Sequence, residues 1–230
     1  MTTRPLDPGL RLIKIPIIAH DVGRSHDRST AVIGGHCSLF SGPRLLEVLE
    51  FRELPLGIYG SELANELMKI DQQLNHNALI VADLSNDPTY AETLFDTFGR
   101  RVIGVQIGRS GDGMTREHRR VKNGAIPIYQ IGRTFLFDLL LAEFRNQHIR
   151  LPDSPEGRRT YEQLNALEPE QRDSGIIYKC PSGQHDDLAV SLAMLAWAAQ
   201  HMHLNHWQQP IFDAHRPRRQ RKEAGWPSFV

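Results

Sequence analysis

Four aspartates at three distant points of the chain carry the clearest indication of chemistry. Asp21 and Asp83 each stand at the end of an apolar run, and Asp186 and Asp187 open an apolar helical segment. An isolated buried charge costs far more than folding can supply, so carboxylates at such positions need water, a partner charge or a metal ion. Hard divalent cations prefer carboxylate oxygens as ligands. The pattern therefore predicts a carboxylate cage that folding assembles around divalent metal ions.

The elements that must position these aspartates begin with an antiparallel meander. Turns with Gly, Ser and Pro separate three predicted strands, at residues 12–20, 29–38 and 45–53. The apolar period then changes, and Ser61 is predicted to N-cap a helix that reaches about residue 75. A buried strand, a helix and a second buried strand follow, at residues 78–82, 89–98 and 101–107. Strand, helix and strand with short links predict a parallel crossover.

The second half of the chain has weaker patterns until its end. Residues 125–131 are predicted to form an edge strand, because Pro127 cannot donate to a ladder. Helices are predicted at residues 134–147 and 158–167, a strand at 175–179, and the last helix at 184–203. We predict one domain over residues 1–210 and a basic tail, flexible or ordered by a partner, over residues 211–230.

This order of elements describes an α/β fold of the ribonuclease H-like class. The expected core is a mixed central sheet of about five strands, a three-strand meander plus parallel strands, flanked by helices. In such a sheet the first strand lies beside the strand that ends in Asp83. The start of the last helix then brings Asp186 and Asp187 to the same place as Asp21, so one site is predicted.

Composition is consistent with one globular domain. The chain has 230 residues, 40% of them hydrophobic, and its 27 Lys and Arg balance 27 Asp and Glu. The overall charge therefore gives no sign of nucleic-acid binding, although basic residues cluster near residues 116–122 and 216–222. Cys37 and Cys180 form no CxxC motif, which favours a reducing, cytoplasmic setting over a disulfide or cysteine-zinc protein. No secretory leader or membrane span is expected, so we predict a soluble protein.

Three motifs in this order resemble the nuclease domain of bacteriophage terminase large subunits. They are the DVG turn at Asp21 with Asp27 and Thr30 after it, the strand end at Asp83, and the GQHDD helix entrance at residues 183–187. The LPLGIYGSELANEL, VIGVQIG and IRLPDSPEGRRTYEQL segments are similar in order too. The resemblance covers residues 12–205.

The chain departs from that family at two points. Terminase nucleases commonly carry a glycine-rich turn after the second carboxylate, whereas this chain has LSNDP at residues 84–88, which leaves the shape of that lip open. Full terminases also carry an ATPase, and the sequence contains no GxxxxGKS or GxxxxGKT phosphate loop. The resemblance therefore implies the nuclease half, as a fragment or a stand-alone product, which does not pump DNA itself.

The resemblance implies a metal-dependent endonuclease that cuts concatemeric double-stranded viral DNA during packaging, in the host cytoplasm. Two Mg2+ or Mn2+ ions would bind, with Asp21 bridging them, Asp83 on one ion and Asp187 on the other. Asp186 is expected as a second ligand or as a helix cap. The terminase small subunit, a separate or missing ATPase domain and the portal or procapsid are the implied protein partners.

DNA contact is expected through phosphates rather than base edges, so cleavage should show little sequence preference. The candidate DNA-binding residues are Arg24, Arg28, Arg109, Arg116, Arg119, Arg120 and Lys122. The basic cluster of the tail suits either DNA or docking to the portal or procapsid. Each basic run is equally compatible with a solvated surface.

Structural roles compete with the chemical ones at each aspartate. Asp21 also suits a turn, and Asp83 also suits a cap for the next helix, although Asp87 is better placed for that cap. One of Asp186 and Asp187 is expected to be only a favourable charge at a helix start.

The histidines and Asp27 carry weaker indications. His185 suits either a proton-shuttling role or plain exposure. His201, His203 and His206 are expected to be favourable charges at a helix end rather than metal ligands. His20 is expected to point to the face opposite Asp21. Asp27 is expected to form a turn.

Other functional classes share parts of this pattern. Junction resolvases and transposases use similar carboxylates on the same fold, and only the form of the substrate separates them. Actin-like and sugar-kinase-like phosphotransferases begin with a similar D-x-G turn but need two such domains and a second phosphate turn. A packaging module that only docks, with degenerate carboxylates, would show no metal-dependent cleavage.

Overall fold

The structure is a computed structural model of the chain. It describes residues 13, 15–23, 28–37, 45–85, 87, 89–109, 111–172, 175–181 and 185–201. Arg24 and Asp27 lie outside the described residues, as do His203, His206 and the whole predicted tail.

The described residues contain ten strands, which form two sheets. The strands are β1 (Ile17–Asp21), β2 (Thr30–Cys37), β3 (Leu45–Glu53), β4 (Leu79–Asp83), β5 (Val102–Gly108), β6 (Asp112–Val121), β7 (Gly124–Gly132), β8 (Ile149–Arg150), β9 (Glu168–Arg172) and β10 (Gly175–Lys179). The large sheet has the order β6-β7-β5-β4-β1-β2-β3-β8, and β9 and β10 form a separate two-stranded sheet.

In the part of the chain that the structure describes, five α-helices flank the large sheet. They are α1 (Ser61–Gln73), α2 (Tyr90–Phe98), α3 (Arg133–Arg145), α4 (Pro155–Ala166) and α5 (Asp187–His201). Within the described residues, no helix is both long enough and apolar enough to cross a membrane.

The large sheet confirms the predicted combination of a meander with parallel strands. β1, β2 and β3 pair antiparallel in sequence order, whereas β1 and β4, β4 and β5, and β5 and β7 pair parallel. As predicted, β1 lies beside β4 in the interior of the sheet. The carboxyl ends of β1, β4, β5 and β7 therefore lie at the same edge of the sheet, which we call the carboxyl edge.

Two packed layers cover the sheet. Alternate residues of β1 and β4, such as Ile17 and Val81, pack with α3 and α5 in one core, and the residues between them, such as Ile18 and Ile80, pack with α1 and α2 in the other. We call these sides the α5 face and the α2 face. Residues 188–199 of α5 are all buried. Burial on every side explains why this helix is apolar all round instead of carrying one apolar stripe.

Several local predictions need correction. β7 is an interior strand between β5 and β6, so residues 125–131 do not form an edge. Pro127 is tolerated there because it lies opposite His118 of β6, one residue before the ladder with β5 begins at Ile128. The N-cap of α1 is Gly60, and Ser61 is the first helical residue. The sheet is also wider than about five strands, since β6, β7 and β8 extend it to eight.

Candidate active site

Asp21 and Asp83 lie on adjacent strands at the carboxyl edge. The parallel register of β1 and β4 pairs His20 with Ala82, and each aspartate is the next residue of its strand. Neighbouring strands are about 4.8 Å apart, so the two backbones approach closely here. Alternation along each strand places both side chains on the α5 face. The carboxylates therefore project from one edge toward the same helix.

The start of α5 is docked beside Asp21 by a residue of β2. Thr30 pairs with Asp21 in the β1–β2 register, and its hydroxyl donates to the backbone carbonyl of Asp187 at 3.1 Å. The same hydroxyl shares a 2.7 Å hydrogen bond with Ser191, one turn further along the helix. From α4, Gln163 accepts a hydrogen bond from the backbone N–H of Ala189 at 3.1 Å. These contacts hold the first turn of α5 against the carboxyl edge.

All four predicted aspartates line one cleft of about 480 Å³. The same cleft is lined by Arg109, which follows β5, and by Arg133, which follows β7. Among the described residues that line this cleft, four carboxylates thus face two arginines, and negative charge is in excess. The structure brings together residues that lie more than a hundred positions apart in the chain, as the sequence patterns predicted.

The carboxylates disturb one another's protonation. The pKa of Asp21 is raised well above its usual value, first by burial and then by the negative charges of Asp83, Asp187 and Asp186, while Arg133 acts in the opposite direction. Burial also raises the pKa of Asp83, and hydrogen bonds from Ser85 oppose that rise. The raised pKa values mean that ionising these carboxylates costs free energy. A divalent cation lowers that cost, because it removes both the repulsion between the carboxylates and part of the desolvation penalty.

Asp83 and Asp186 are turned onto protein partners. Asp83 Oδ1 accepts from the backbone N–H of Ser85 at 2.8 Å and from its hydroxyl, and Asp186 pairs with Arg133. As these side chains stand, no three His, Cys, Asp or Glu residues in the described ranges are arranged to hold a metal ion. The chemistry of the donor set, carboxylates with an excess of negative charge, fits a divalent cation.

Ser85 shapes the lip of the cleft that the sequence left open. Its hydroxyl donates to Asp83 and accepts the backbone N–H of Ile107 in β5 at 2.8 Å. A hydroxyl bridge between two strand ends therefore stands where the glycine-rich turn of the family was expected. Sequence reasoning did not assign Ser85 a role, although its position two residues after a strand-end aspartate suits a side-chain turn.

Arg133 is a site residue that the sequence patterns did not reveal. It directly follows Gly132, the last residue of β7, and so reaches the carboxyl edge. Its guanidinium pairs with Asp186, its Nε donates to the Tyr178 carbonyl at 3.2 Å, and it lies 4.9 Å from the centre of the Phe137 ring. The aspartates were identified because they stand at strand ends. The same rule, applied to basic residues, would have identified Arg133.

A second cleft, of about 680 Å³, adjoins the first at Asp187. Arg28 and Arg159 line it together with Glu53, to which both arginines are paired, Arg28 at 3.8 Å. His185 is exposed and lines this second cleft rather than the first. The predicted DNA contact Arg28 therefore lies beside the site, next to an acidic partner.

The basic residues of β6 lie on both faces of the sheet. Arg116 is paired with Tyr129, which packs in the core of the α5 face, whereas Arg119 is paired with Ile126, which belongs to the core of the α2 face. Arg120 pairs with Ala125 and follows the alternation of Arg116. Arg116 and Arg120 are exposed, whereas Arg119 is half-buried. Lys122 is exposed in the turn after β6.

Distance from the carboxyl edge also separates these residues. Tyr129, the partner of Arg116, is three residues before the end of β7, which is roughly 10 Å along the strand. Ala125, the partner of Arg120, is seven residues before that end, which is roughly 24 Å. Arg116 is therefore the member of the β6 cluster nearest to the aspartates on their own face.

Asp87, His20 and His201 make their contacts away from the cleft. Asp87 caps α2, since its Oδ1 accepts the backbone N–H groups of Thr89 at 2.9 Å and Tyr90 at 3.2 Å. His20 faces α2 as predicted, with its ring 5.9 Å from that of Tyr90 and burial lowering its pKa to about 4. His201 hydrogen-bonds the Trp197 carbonyl at 2.8 Å and stacks on the Trp197 ring.

Comparison with solved structures identifies a shared fold. The large terminase nuclease from thermophilic phage G20c is 17% identical, with a TM-score of 0.53 over 79% of this chain and 80% of that one. The same nuclease with bound magnesium is 16% identical, with a TM-score of 0.55 over 79% and 80%. The large terminase nuclease domain of Thermus phage P74-26 is 16% identical, with a TM-score of 0.52 over 83% and 81%. No protein-family model matches the chain, and no curated protein matches it in sequence. The chain has the ribonuclease H-like fold of these nuclease domains, as predicted.

Proposed function

We propose that this chain is a divalent-metal-dependent endonuclease that hydrolyses double-stranded DNA with little sequence specificity. One observation carries the proposal, namely that four aspartates from three distant segments meet in one cleft whose negative charge exceeds its positive charge. One fold can host many functions, so the proposal rests on the cleft and its chemistry. The similarity to phage terminase nucleases agrees with it in fold.

Asp21, Asp83 and Asp187 would hold Mg2+ or Mn2+, because carboxylate oxygens suit these cations and these residues line the cleft together. We propose that two ions bind. They would polarise the phosphate and lower the pKa of the attacking water. Asp21 interacts electrostatically with each of the other three aspartates, so it suits the bridging position. The magnesium bound to the G20c nuclease supports the choice of a divalent cation.

Arginines at and near the cleft would hold the DNA backbone there. Arg109 is exposed on the cleft wall, and Arg116 follows it on the same face of the sheet. Arg120 extends this line along β6 toward the far end of the hairpin. Arginine contacts to phosphates position a duplex without reading its sequence, which is why we expect little sequence preference. Arg28 would contact phosphate only by exchanging its partner Glu53.

The biological role we propose is that of the nuclease part of a phage terminase large subunit, which cuts concatemeric viral DNA during packaging in the host cytoplasm. The order of motifs in the sequence and the similarity of fold support this role. The terminase small subunit, an ATPase domain and the portal or procapsid are then the proposed partners. With no phosphate loop in the sequence, the energy for DNA movement would come from the ATPase.

Cleavage of plasmid DNA tests the activity. Purified protein would be incubated with supercoiled plasmid and with linear duplex in the presence of Mn2+, Mg2+ or EDTA. We expect nicking and linearisation that require the cation and that are lost in Asp21→Asn and Asp187→Asn, because each change removes a carboxylate from the cage.

The matched control is Asp153→Asn, the same chemical change at a carboxylate that is 87% exposed on the surface. It should cut as the unmodified protein does. Equal cleavage by Asp21→Asn and the unmodified protein would contradict the proposal. Preference for a four-way junction over plain duplex in the same assay would assign the site to a junction resolvase instead.

A further inference from the structure

Arg133 is held in place by three different contacts. Its side chain is 31% exposed, it pairs with Asp186, it donates to the Tyr178 carbonyl of β10, and it lies over the Phe137 ring of α3. A guanidinium with an ionic, a hydrogen-bonded and an aromatic contact at once has little freedom to move. The pair that it forms with Asp186 is therefore a fixed part of the cleft wall.

Asp186 is fixed by the same pair and by the helix that follows it. Its carboxylate is 15% exposed, and its backbone carbonyl accepts the N–H of Val190 at 2.8 Å, which starts the hydrogen bonding of α5. To bind a cation, this carboxylate would have to leave Arg133 or bring the guanidinium close to the cation. Both events are unfavourable, because the first leaves a part-buried arginine without its counter-ion and the second places like charges together.

Asp187 has a different setting. Thr30 and Ser191 anchor its backbone to β2, and its side chain lines both clefts, beside Asp21 in one of them. The two adjacent acids therefore have separable functions, even though the sequence alone does not distinguish them.

We infer that Arg133 is a positioning residue that retains Asp186 as its counter-ion, so that Asp187 is the α5 carboxylate that binds the cation together with Asp21 and Asp83. The inference rests on the proposed function, since it concerns the ligand set of that site. Arg133 has a second effect, which is to offset part of the negative charge around Asp21. Removing Arg133 should thus strengthen cation binding while it loosens the start of α5.

Calorimetric titration with Mn2+ alone, without DNA, tests the ligand assignment. Asp187→Asn should weaken Mn2+ binding by about tenfold or more, because it removes a ligand. Asp186→Asn should weaken it by only about threefold, because it leaves the charge of Arg133 unopposed near the cation. Arg133→Gln should bind Mn2+ more tightly than the unmodified protein, and Arg133→Lys should bind it as the unmodified protein does.

Combined variants separate a ligand from a counter-ion. Arg133→Gln combined with Asp186→Asn removes both charges of the pair and should restore Mn2+ affinity to that of the unmodified protein. Arg133→Gln combined with Asp187→Asn should stay at least about tenfold weaker than Arg133→Gln alone. A double variant with Asp186→Asn that stays as weak as Asp187→Asn would overturn the inference, because Asp186 would then be a ligand.

Thermal unfolding without metal supplies a second readout of the pair. Arg133→Gln and Asp186→Asn should each lower the melting temperature, and their combination should lower it by less than the sum of the two shifts. Strictly additive shifts would overturn the pairing. If the unmodified protein itself binds no Mn2+, the proposed function falls, and this ligand assignment falls with it; Mn2+ binding with the wrong variant pattern overturns only the inference.

Discussion

Aspartate is buried on both faces of the sheet, and its surroundings on the two faces are opposite. On the α2 face, Asp71 is 0% exposed, yet Arg101 donates to both of its carboxylate oxygens at 2.9 and 2.8 Å and the backbone N–H of Ala78 donates at 3.0 Å. On the α5 face, Asp21 is surrounded by three further carboxylates and its pKa is raised well above the usual value. Burial of an acid is common to both sites.

The difference lies in how the charge is compensated. Asp71 and Arg101 form a closed unit, in which Arg101 also donates to the Ala78 carbonyl at 2.8 Å and so ties the end of α1 to the start of β4. The cleft on the α5 face stays short of positive charge although folding brings arginines to it. A buried acid with its partners built in indicates a structural role, and a buried cluster of acids with fewer basic partners indicates a candidate functional site.

The sharpest test of this contrast is to remove one charge from each site. Asp21→Asn should lower metal-dependent cleavage by about 1,000-fold or more, since several kcal/mol of transition-state stabilisation are lost. Its melting temperature without metal should stay the same or rise, because a repulsive charge is gone. Plasmid cleavage and thermal unfolding measure the two effects, and a melting temperature well below that of the unmodified protein would break the contrast.

The matching change on the α2 face is Arg101→Met, which leaves Asp71 buried without its counter-ion. We expect the free energy of unfolding to fall by about 3 kcal/mol, with cleavage per folded molecule unchanged. Urea denaturation measures the first quantity. Arg150→Met is the control, because Arg150 is 68% exposed in its pair with Glu47 and should contribute less than about 1 kcal/mol. Equal losses in the two variants would contradict the role given to Asp71.

Addition of cation should stabilise only the α5-face site. At an Mn2+ concentration of 100 times its dissociation constant, binding to the folded state adds about 2.7 kcal/mol to the free energy of unfolding. We expect this increment in the unmodified protein and in Arg101→Met, and its loss in Asp21→Asn. Thermal unfolding with and without Mn2+ checks it, and an increment that survives in Asp21→Asn would show that the cation binds elsewhere.

The smallest expected effect is a change in DNA affinity that differs between the two faces of β6. Arg116→Gln should weaken binding of a short duplex and lower the slope of log affinity against log salt concentration by about one, because one phosphate contact is lost. Arg119→Gln, the same change on the α2 face, should leave the slope unchanged. Fluorescence anisotropy in an Asp21→Asn background measures binding without cleavage. An equal loss of slope in both variants would show that DNA contacts both faces.

Local pattern predicted much of the fold. The bounds of β3 and β10 agree with prediction, and β1, β2, β4, β5 and the helices lie within a few residues of the predicted runs. These elements follow from apolar period and turn residues, which are properties of neighbours in the chain. β7 was predicted as a strand, whereas β6 and β9 were not, because the sequences of β6 and β9 are polar and charged and lack strict apolar alternation. Partner strands, rather than their own composition, hold them in the sheet.

The four aspartates were found in the sequence because strand ends and helix starts are visible there, and a parallel arrangement brings such ends together. The sequence also determined that these acids need compensation of their charge, because they end apolar runs, and the proposed metal site follows from that need. Only the tertiary structure determined which residues pair at long range, namely Arg101 with Asp71, Arg133 with Asp186, and Arg116 with Tyr129. These contacts join positions 30, 53 and 13 apart. The energy of a charge depends on what lies within a few ångströms, and only the packed fold decides that.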